Sequence, residues 1–162
     1  MSRRLIVCVL VLVCLLTGCT DKDKYPVGIT LDLQDISVTL PGDFSDLSGE
    51  SYAEDADFMY GRKTLVVMGL SEKKEGLKVK NLVEYTDSVI RGNNLSCTAV
   101  PNGNGYLFTY EKPLDNTTYT YTVATFEGEI NFWILQFYCP KENLRENQPE
   151  IDIILESLRK KA

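Results

Sequence analysis

Apolar and polar residues alternate through ISVTLPGDF (36–44), with Ile36, Val38 and Leu40 on one side and Ser37 and Thr39 on the other. Period two predicts a strand, closed by Pro41-Gly42. The acidic stretch 43–57 has no period and reads as a loop. FMYGRKTLVVMGL (58–70) reads as two short strands joined at Gly61-Arg62-Lys63, and SEKKEG (71–76) as a polar loop. The period then lengthens. Val79, Leu82, Val83, Val89 and Ile90, with Thr86 between them, keep helical spacing. Gly92-Asn93-Asn94 is a helix stop. Period two returns in LSCTAV (95–100), YLFTYEK (106–112), TTYTYTVATF (117–126) and INFWILQFYC (130–139). Turns at Asn102-Gly103-Asn104-Gly105, Pro113–Asn116 and Glu127-Gly128-Glu129 divide these into a four-strand meander, and Pro140 ends the last strand. A final helix is expected from about Asn147, with Pro149 tolerated in its first turn. Ile151, Ile154, Leu155 and Leu158 form its apolar stripe. Arg159-Lys160-Lys161 suits the negative end of its dipole.

The last strand of the meander sets the architecture. Phe132, Ile134 and Tyr138 share one face, and Trp133, Leu135 and Phe137 share the other. A strand apolar on both faces is central and covered on both sides. The two helices are the available covers. The expected class is therefore α+β: an antiparallel sheet with a C-terminal four-strand meander and helices packed on both faces.

The first 24 residues follow a different logic. Arg3 and Arg4 give a positive start, Leu5–Leu16 is unbroken apolar sequence, and the run ends at Leu16-Thr17-Gly18-Cys19 before Asp21-Lys22-Asp23-Lys24. A bilayer-spanning helix needs about 20 apolar residues, so this run is too short to cross. Its length fits the core of a secretory signal peptide. Leu-Thr-Gly-Cys resembles the lipobox of bacterial lipoproteins, in which the cysteine thiol is acylated and becomes the first residue. The resemblance implies a signal peptide over 1–18, a lipidated Cys19 with a tether over 19–28, and one globular domain over 29–162. Two or three acyl chains on Cys19 satisfy the need for more than one chain in stable anchoring. The expected location is the extracytoplasmic face of the cell membrane. Thr20, rather than Asp, follows the cysteine, which in an enteric-type Gram-negative cell directs a lipoprotein to the outer membrane.

Removing residues 1–18 takes away Arg3 and Arg4 and no acid, so the net charge moves from −6 to −8. The remaining 144 of 162 residues suffice for one domain with its own core. An acidic surface with no Lys/Arg cluster repels nucleic acid phosphates, which excludes nucleic acid as a partner. Of five cysteines, Cys8 and Cys14 lie in the signal and Cys19 is the lipid site. Cys97 and Cys139 remain. An exported pair invites a disulfide, but the meander puts them three strands apart. At about 4.8 Å per strand that is roughly 14 Å, which a bridge spans only if the sheet curls strongly or the strand order differs.

The order ISVTLPGDF, a DADFMYG hairpin, a helix, a four-strand meander, FWILQFYCP and a closing helix resembles small Gram-positive lipoproteins of the PsbP-like fold, over residues 30–160. That fold is shared by the extrinsic P subunit of photosystem II, a Ran-binding nuclear transport factor and bacterial envelope lipoproteins. The resemblance implies a non-enzymatic module that binds other proteins, with an envelope protein as partner. No residue here matches the photosynthetic members' metal-linked role, so no metal or other cofactor is expected.

The chain has no histidine, which removes Ser-His-Asp and Cys-His catalysis and the commonest zinc ligand. Asp43, Asp46, Glu54, Asp55 and Asp57 sit in a hydrophilic loop, where no dry pocket raises a carboxyl pKa for acid catalysis. A calcium loop counted from Asp43 reaches Glu54 at position twelve, but Leu47 and Ser48 spoil positions five and six. The expected binding surface is aromatic: Tyr106, Phe108 and Tyr110 on one face of their strand, and Tyr119 and Tyr121 on one face of the next. Thr118, Thr120 and Thr122, opposite, are expected to face solvent or an open groove. A lipid- or small-molecule-binding groove under a helix is the alternative function.

The anchor is tested directly. Cys19→Ala should move the protein from the membrane fraction to the soluble fraction of lysed cells. Persistence in the membrane fraction would remove the anchor.

Overall fold

The computed structural model describes residues 28–50 and 55–161. The expected signal peptide, Cys19 and the tether up to Val27 lie outside the described residues, as does Glu54. Strands β1 (Ile29–Asp32), β2 (Ile36–Leu40) and β3 (Ser45–Asp46) open the chain. A hairpin follows, β4 (Phe58–Arg62) and β5 (Leu65–Lys73), then helix α1 (Leu82–Gly92). The meander is β6 (Val100–Asn102), β7 (Gly105–Leu114), β8 (Thr117–Glu127) and β9 (Asn131–Pro140). Helix α2 (Leu144–Ser157) and a short β10 (Arg159–Lys160) close it.

Seven strands form one antiparallel sheet in the order β3-β4-β5-β9-β8-β7-β6, and β1-β2-β10 form a second. β9 is the middle strand of the large sheet, as its two apolar faces require. Trp133, Leu135, Phe137 and Cys139 point to one side. They meet Ile151 and Ile154 of α2 and Ile36, Val38 and Leu40 of β2 in the main core. That side is therefore covered by a helix and a small sheet together, where the sequence suggested a helix alone. On the other side Phe132 meets Leu82 and Tyr85 of α1, and Phe108 and Val123 meet Ile90.

α1 starts later than its apolar spacing suggested. The Asn81 Oδ1 accepts from the Glu84 N–H at 3.0 Å, and Glu84 Oε2 accepts from the Lys80 N–H at 2.9 Å. This satisfies two otherwise orphaned donors and fixes the first turn. Val83, expected on the apolar stripe, is exposed, and Tyr85 is buried in its place.

Four expectations are corrected. LSCTAV is not a strand: only Val100 joins the sheet, while Leu95, Cys97 and Ala99 lie against the α1-side core without pairing. Alternation there marks a chain packed on one side. Thr120 and Thr122 are buried, at 4% and 3% exposure, and only Thr118 is exposed. Their strand has both faces covered, so alternation could not say which face was wet. Pro149 sits in the interior of α2, which begins at Leu144 after a 3-10 turn at Lys141–Asn143. The basic end does not extend α2: Arg159 and Lys160 pair with Ser37 and Ile36 as β10. Arg159 still serves the helix end, since its Nη1 donates to the carbonyls of Glu156 (2.6 Å) and Leu158 (2.8 Å).

A buried carboxylate ties the two sheets together. Asp35, 5% exposed, precedes β2. Its Oδ2 accepts from the backbone N–H of Ile130 and of Asn131, both at 2.9 Å. Its Oδ1 accepts from Trp133 Nε1 at 2.6 Å and from Asn131 Nδ2 at 3.2 Å. Burial pushes its pKa up, but the hydrogen bonds from Ile130, Trp133 and Asn131 outweigh burial and hold it below the ordinary carboxylate range. A Cβ on Gly128 would run into this carboxylate, so only glycine fits there.

Because the folded pKa is lowered, the ionised Asp35 stabilises the fold above the unfolded carboxylate value, about 4. That stability is lost as pH falls through the lower folded value. Asp35→Asn should cost about 2–3 kcal/mol at pH 7, by misaligning a donor among donors. Urea midpoints should show a gap between the two proteins at pH 7 that narrows at pH 3. A constant gap, or none, would show that the carboxylate does not carry this role.

Candidate functional site

The α1 side of the large sheet is covered over only part of its length. At about 1.5 Å per residue, an 11-residue helix spans roughly 16 Å. Ten-residue β7 and β9 run roughly 33 Å at about 3.3 Å per residue. α1 seals the half carrying Phe132, Thr125 and Phe108. Tyr85 stacks on Phe132 with ring centres 4.6 Å apart. Thr86 donates to the Leu82 carbonyl at 2.7 Å, which uses its only proton, so the Thr125 hydroxyl 2.6 Å away donates to Thr86.

Beyond α1 the same face carries tyrosines. The register sets Tyr110 of β7 against Tyr121 of β8, and Tyr121 against Tyr138 of β9. The rings stack as a ladder: Tyr110 and Tyr121 are 4.8 Å apart at 2°, and Tyr121 and Tyr138 are 5.5 Å apart at 26°. Tyr119 and Lys112 are opposed to each other at one end, and Gln136 of β9 lies beside the ladder. Val66 and Met68 of β5 continue the face past Tyr138 and Gln136. All three ladder tyrosines are half-buried. The Tyr110 hydroxyl donates to Gln136 Oε1 at 3.4 Å. Burial pushes the phenol pKa of Tyr110 up, with Tyr121 and Cys97 adding to it. Burial, then Tyr119, does the same for Tyr121. Both stay protonated at neutral pH, and a protonated phenol donates as well as accepts.

The five aromatic residues singled out from the sequence thus share one face, but they do not form one surface. Phe108 is buried, at 3% exposure, beneath α1, and Tyr106 packs at that helix's first turns. Tyr110 and Tyr121 pack at the edge of the cluster that Ile90, Phe108 and Val123 form with Leu95, Cys97 and Ala99, and Tyr119 lies further along its strand. Tyr138 completes the ladder and was missed. Its signal was in the sequence, on the same face of the last strand as Phe132 and Ile134, but the register between β8 and β9 was needed to align it.

On the opposite side, a cleft of about 340 Å³ opens between the β6–β7 turn and the C-terminal half of α2. Its lining includes Phe126, Leu155 and Leu158, with Asp152 and Glu156 from α2. No sequence signal marked it, because a gap between a helix and a hairpin depends on tertiary placement.

Among the described residues no three Asp, Glu or Cys side chains converge as a metal site. Asp43 pairs with Arg62, which also pairs with Glu150, and Asp46 accepts from Ser48, so these loop acids hold local structure.

No family model and no curated protein matches the chain. Solved structures do. A protein of Bacteroides thetaiotaomicron superposes with a TM-score of 0.61 at 14% identity, over 85% of this chain and 50% of that one. The Ran-binding protein Mog1p of Saccharomyces cerevisiae gives 0.54 at 12% identity, over 82% of this chain and 94% of its own. The cyanobacterial PsbP of Synechocystis sp. PCC 6803 gives 0.52 at 6%, over 83% and 92%. At these identities the likeness is one of fold: the chain has the antiparallel α+β fold that PsbP and Mog1p share.

The two cysteines lie on opposite sides of the sheet. Cys97 packs with Phe108 and Val123 on the α1 side, and Cys139 with Trp133 and Phe137 on the α2 side. Both are free thiols, which agrees with the distance argument. Burial raises both thiol pKa values, and a hydrogen bond with Asn147 partly offsets this at Cys139. Maleimide labelling without reductant should modify half-buried Cys97 in the native protein and Cys139 only after unfolding. Two cysteines still unlabelled in denaturant would reveal a bridge and refute the placement.

Proposed function

We propose that this protein is a lipid-anchored, extracytoplasmic, non-enzymatic module that holds an envelope protein against its tyrosine face. The observation that carries the reading is the stacked, half-buried Tyr110–Tyr121–Tyr138 ladder at the edge of the α1-side core. Tyrosine supplies large contact area at low entropic cost, with a polar tip for hydrogen bonding, and is enriched in protein interfaces. Met68 and Val66 add adaptable apolar surface beside it. The Ran-binding role in the name of Mog1p, a protein of the same fold, supports a protein partner. The Leu16-Thr17-Gly18-Cys19 sequence supports the anchor. The absence of histidine and the local ion pairs of the loop carboxylates support a non-catalytic role.

A second reading is a groove for a small molecule or lipid. One observation favours it: the cleft beside α2 falls within the size range of ligand sites. Its exposed carboxylates fit an acyl chain poorly.

Crosslinking in intact cells, followed by affinity capture and mass spectrometry, should recover one envelope protein in near-equal amount. A Tyr110→Ala/Tyr121→Ala variant should reduce that yield by about tenfold or more. Its unfolding free energy should fall by about 1–3 kcal/mol, because both stacked pairs of the ladder are lost, and it should stay folded. Capture that survives in a variant still folded by circular dichroism would move the interface elsewhere. Recovery of no specific partner would favour the groove.

A further inference from the structure

We propose that Asn102, the last residue of β6, is a self-modification site. Its side chain cyclises onto the Gly103 nitrogen and reopens as aspartate or isoaspartate, while Asn104 stays intact. The proposal stands apart from the partner reading. The chain has two Asn-Gly pairs, Asn102-Gly103 and Asn104-Gly105, and both belong to the β6–β7 hairpin. Glycine after asparagine favours this cyclisation, because no Cβ hinders the attacking nitrogen and the glycine backbone bends freely. Asn102, Gly103 and Asn104 are all exposed. By sequence the two pairs are equal, and the hairpin makes them unequal.

The register sets Asn102 against Gly105 across a two-residue turn, in which Gly103 takes φ +54°. Pro101, with no N–H, faces Tyr106, so the hydrogen-bonded pairs are Asn102 with Gly105 and Val100 with Leu107. The Gly105 N–H therefore donates to the Asn102 carbonyl. Among the described residues the Gly103 N–H donates to no backbone carbonyl. The attacking nitrogen must shed its proton, and a hydrogen-bonded N–H is held back from doing so. Gly105 is also fixed from its other side. It pairs with Phe126 of β8, and a Cβ on it would strike the Thr125 carbonyl. Ring closure at Asn104 must break the bond at Gly105 or move β7. Ring closure at Asn102 disturbs only β6, three exposed residues at the end of the sheet with a neighbour on one edge. The Asn102 Cα swings with that strand while the Gly103 peptide stays in the turn.

The step needs solvent water and nothing else. The Gly103 nitrogen bonds to Asn102 Cγ, the Cγ–Nδ2 bond breaks, and Nδ2 leaves as ammonia with the proton that Gly103 gives up. Water then opens the resulting succinimide. Cleavage between Cγ and the ring nitrogen gives aspartate. Cleavage at the original peptide bond gives isoaspartate, whose main chain runs through Cβ and Cγ. Either product adds a negative charge at the mouth of the cleft beside α2, which Asn102 lines. Isoaspartate also adds one atom to the backbone. That shifts Asn102 out of register with Gly105 and releases the Leu107 N–H from Val100.

The test ages the full chain in mild detergent at neutral pH, once folded and once unfolded in urea. Peptide mass spectrometry follows the amide-to-acid mass change, with fragmentation that separates position 102 from position 104. Isoaspartyl methyltransferase labelling reports the isoaspartate share. Unfolded, the two sites should react at similar rates. Folded, Asn102 should react about tenfold faster than Asn104 or more, the value of at least one hydrogen bond. Asn104→Ser should leave the reaction at 102 in place, and Asn102→Ser should remove nearly all modification of the hairpin. Equal rates in the folded chain, faster reaction at Asn104, or no reaction at either site while the unfolded chain converts would overturn the proposal. Hydrogen exchange of the Leu107 amide should be faster in the isoaspartate form, separated by ion exchange, than in fresh protein. Unchanged exchange there would overturn the release of β6.

Discussion

The fold depends on the Asp35 carboxylate. A buried charge costs several kcal/mol unless its lone pairs are met, and here four donors meet them from one short stretch, Ile130 to Trp133. That stretch enters β9, the middle strand of the large sheet, while Asp35 enters β2, the middle strand of the small one. The chain's end is drawn to the same place. The Lys161 N–H donates to the Asp35 carbonyl at 3.0 Å, and its Nζ donates to the Leu33 carbonyl at 2.7 Å. Apolar packing of Ile36, Val38 and Leu40 on Trp133 and Leu135 has no direction of its own. The carboxylate supplies direction, because the small sheet satisfies it in only one position and register.

Closure on that side leaves the other as the variable one. The α2 side is sealed by a helix and three strands, and Ser157 completes the seal. Its hydroxyl accepts from the Thr39 N–H at 2.9 Å and lies within hydrogen-bonding reach of the Thr39 carbonyl. The α1 side has one short helix and the Leu95–Ala99 segment over long strands. Side chains beyond it need apolar area for the sheet and polar tips for the rim, and tyrosine meets both demands. The ladder is thus a consequence of how little of these strands the helix covers.

Much of this was legible in the sequence, and the illegible parts share a cause. Period two and helical spacing reported β2, β4, β5, β7, β8, β9 and both helices, because in each the burial pattern follows chain geometry. The central position of β9 was legible from Phe132 and Trp133 facing opposite ways. Cys97 misled, since alternating burial arises on any extended chain pressed against a core, paired or not. Thr120 and Thr122 misled because a hydroxyl tolerates burial in a covered strand. β1 and β10 are strands only because β2 lies between them. Asp35 was one acid among many until folding brought four donors to it. At the candidate site, alternation placed the tyrosines on one face, whereas the limit of α1 and the cleft beside α2 required tertiary placement.

The edge of the large sheet is built against strand addition. β6 pairs with β7 only over Gly105–Leu107, so the rest of β7 is unpaired on its outer side among the described residues. The two-residue turn Asp115-Asn116 makes Leu114 and Thr117 a hydrogen-bonded pair. Alternation then points the backbone groups of Thr109, Glu111 and Pro113 outward. An open edge of this kind invites another strand. Pro113 has no N–H to offer there, and Glu111 is held by Lys141 at 2.9 Å. Proline on an outward-facing edge position is a recurrent block to strand addition. Strand addition along this edge is therefore disfavoured, which leaves side-chain contacts on the two faces that flank it. Those faces carry the Tyr110–Tyr121 stack on one side and the cleft between the β6–β7 turn and α2 on the other.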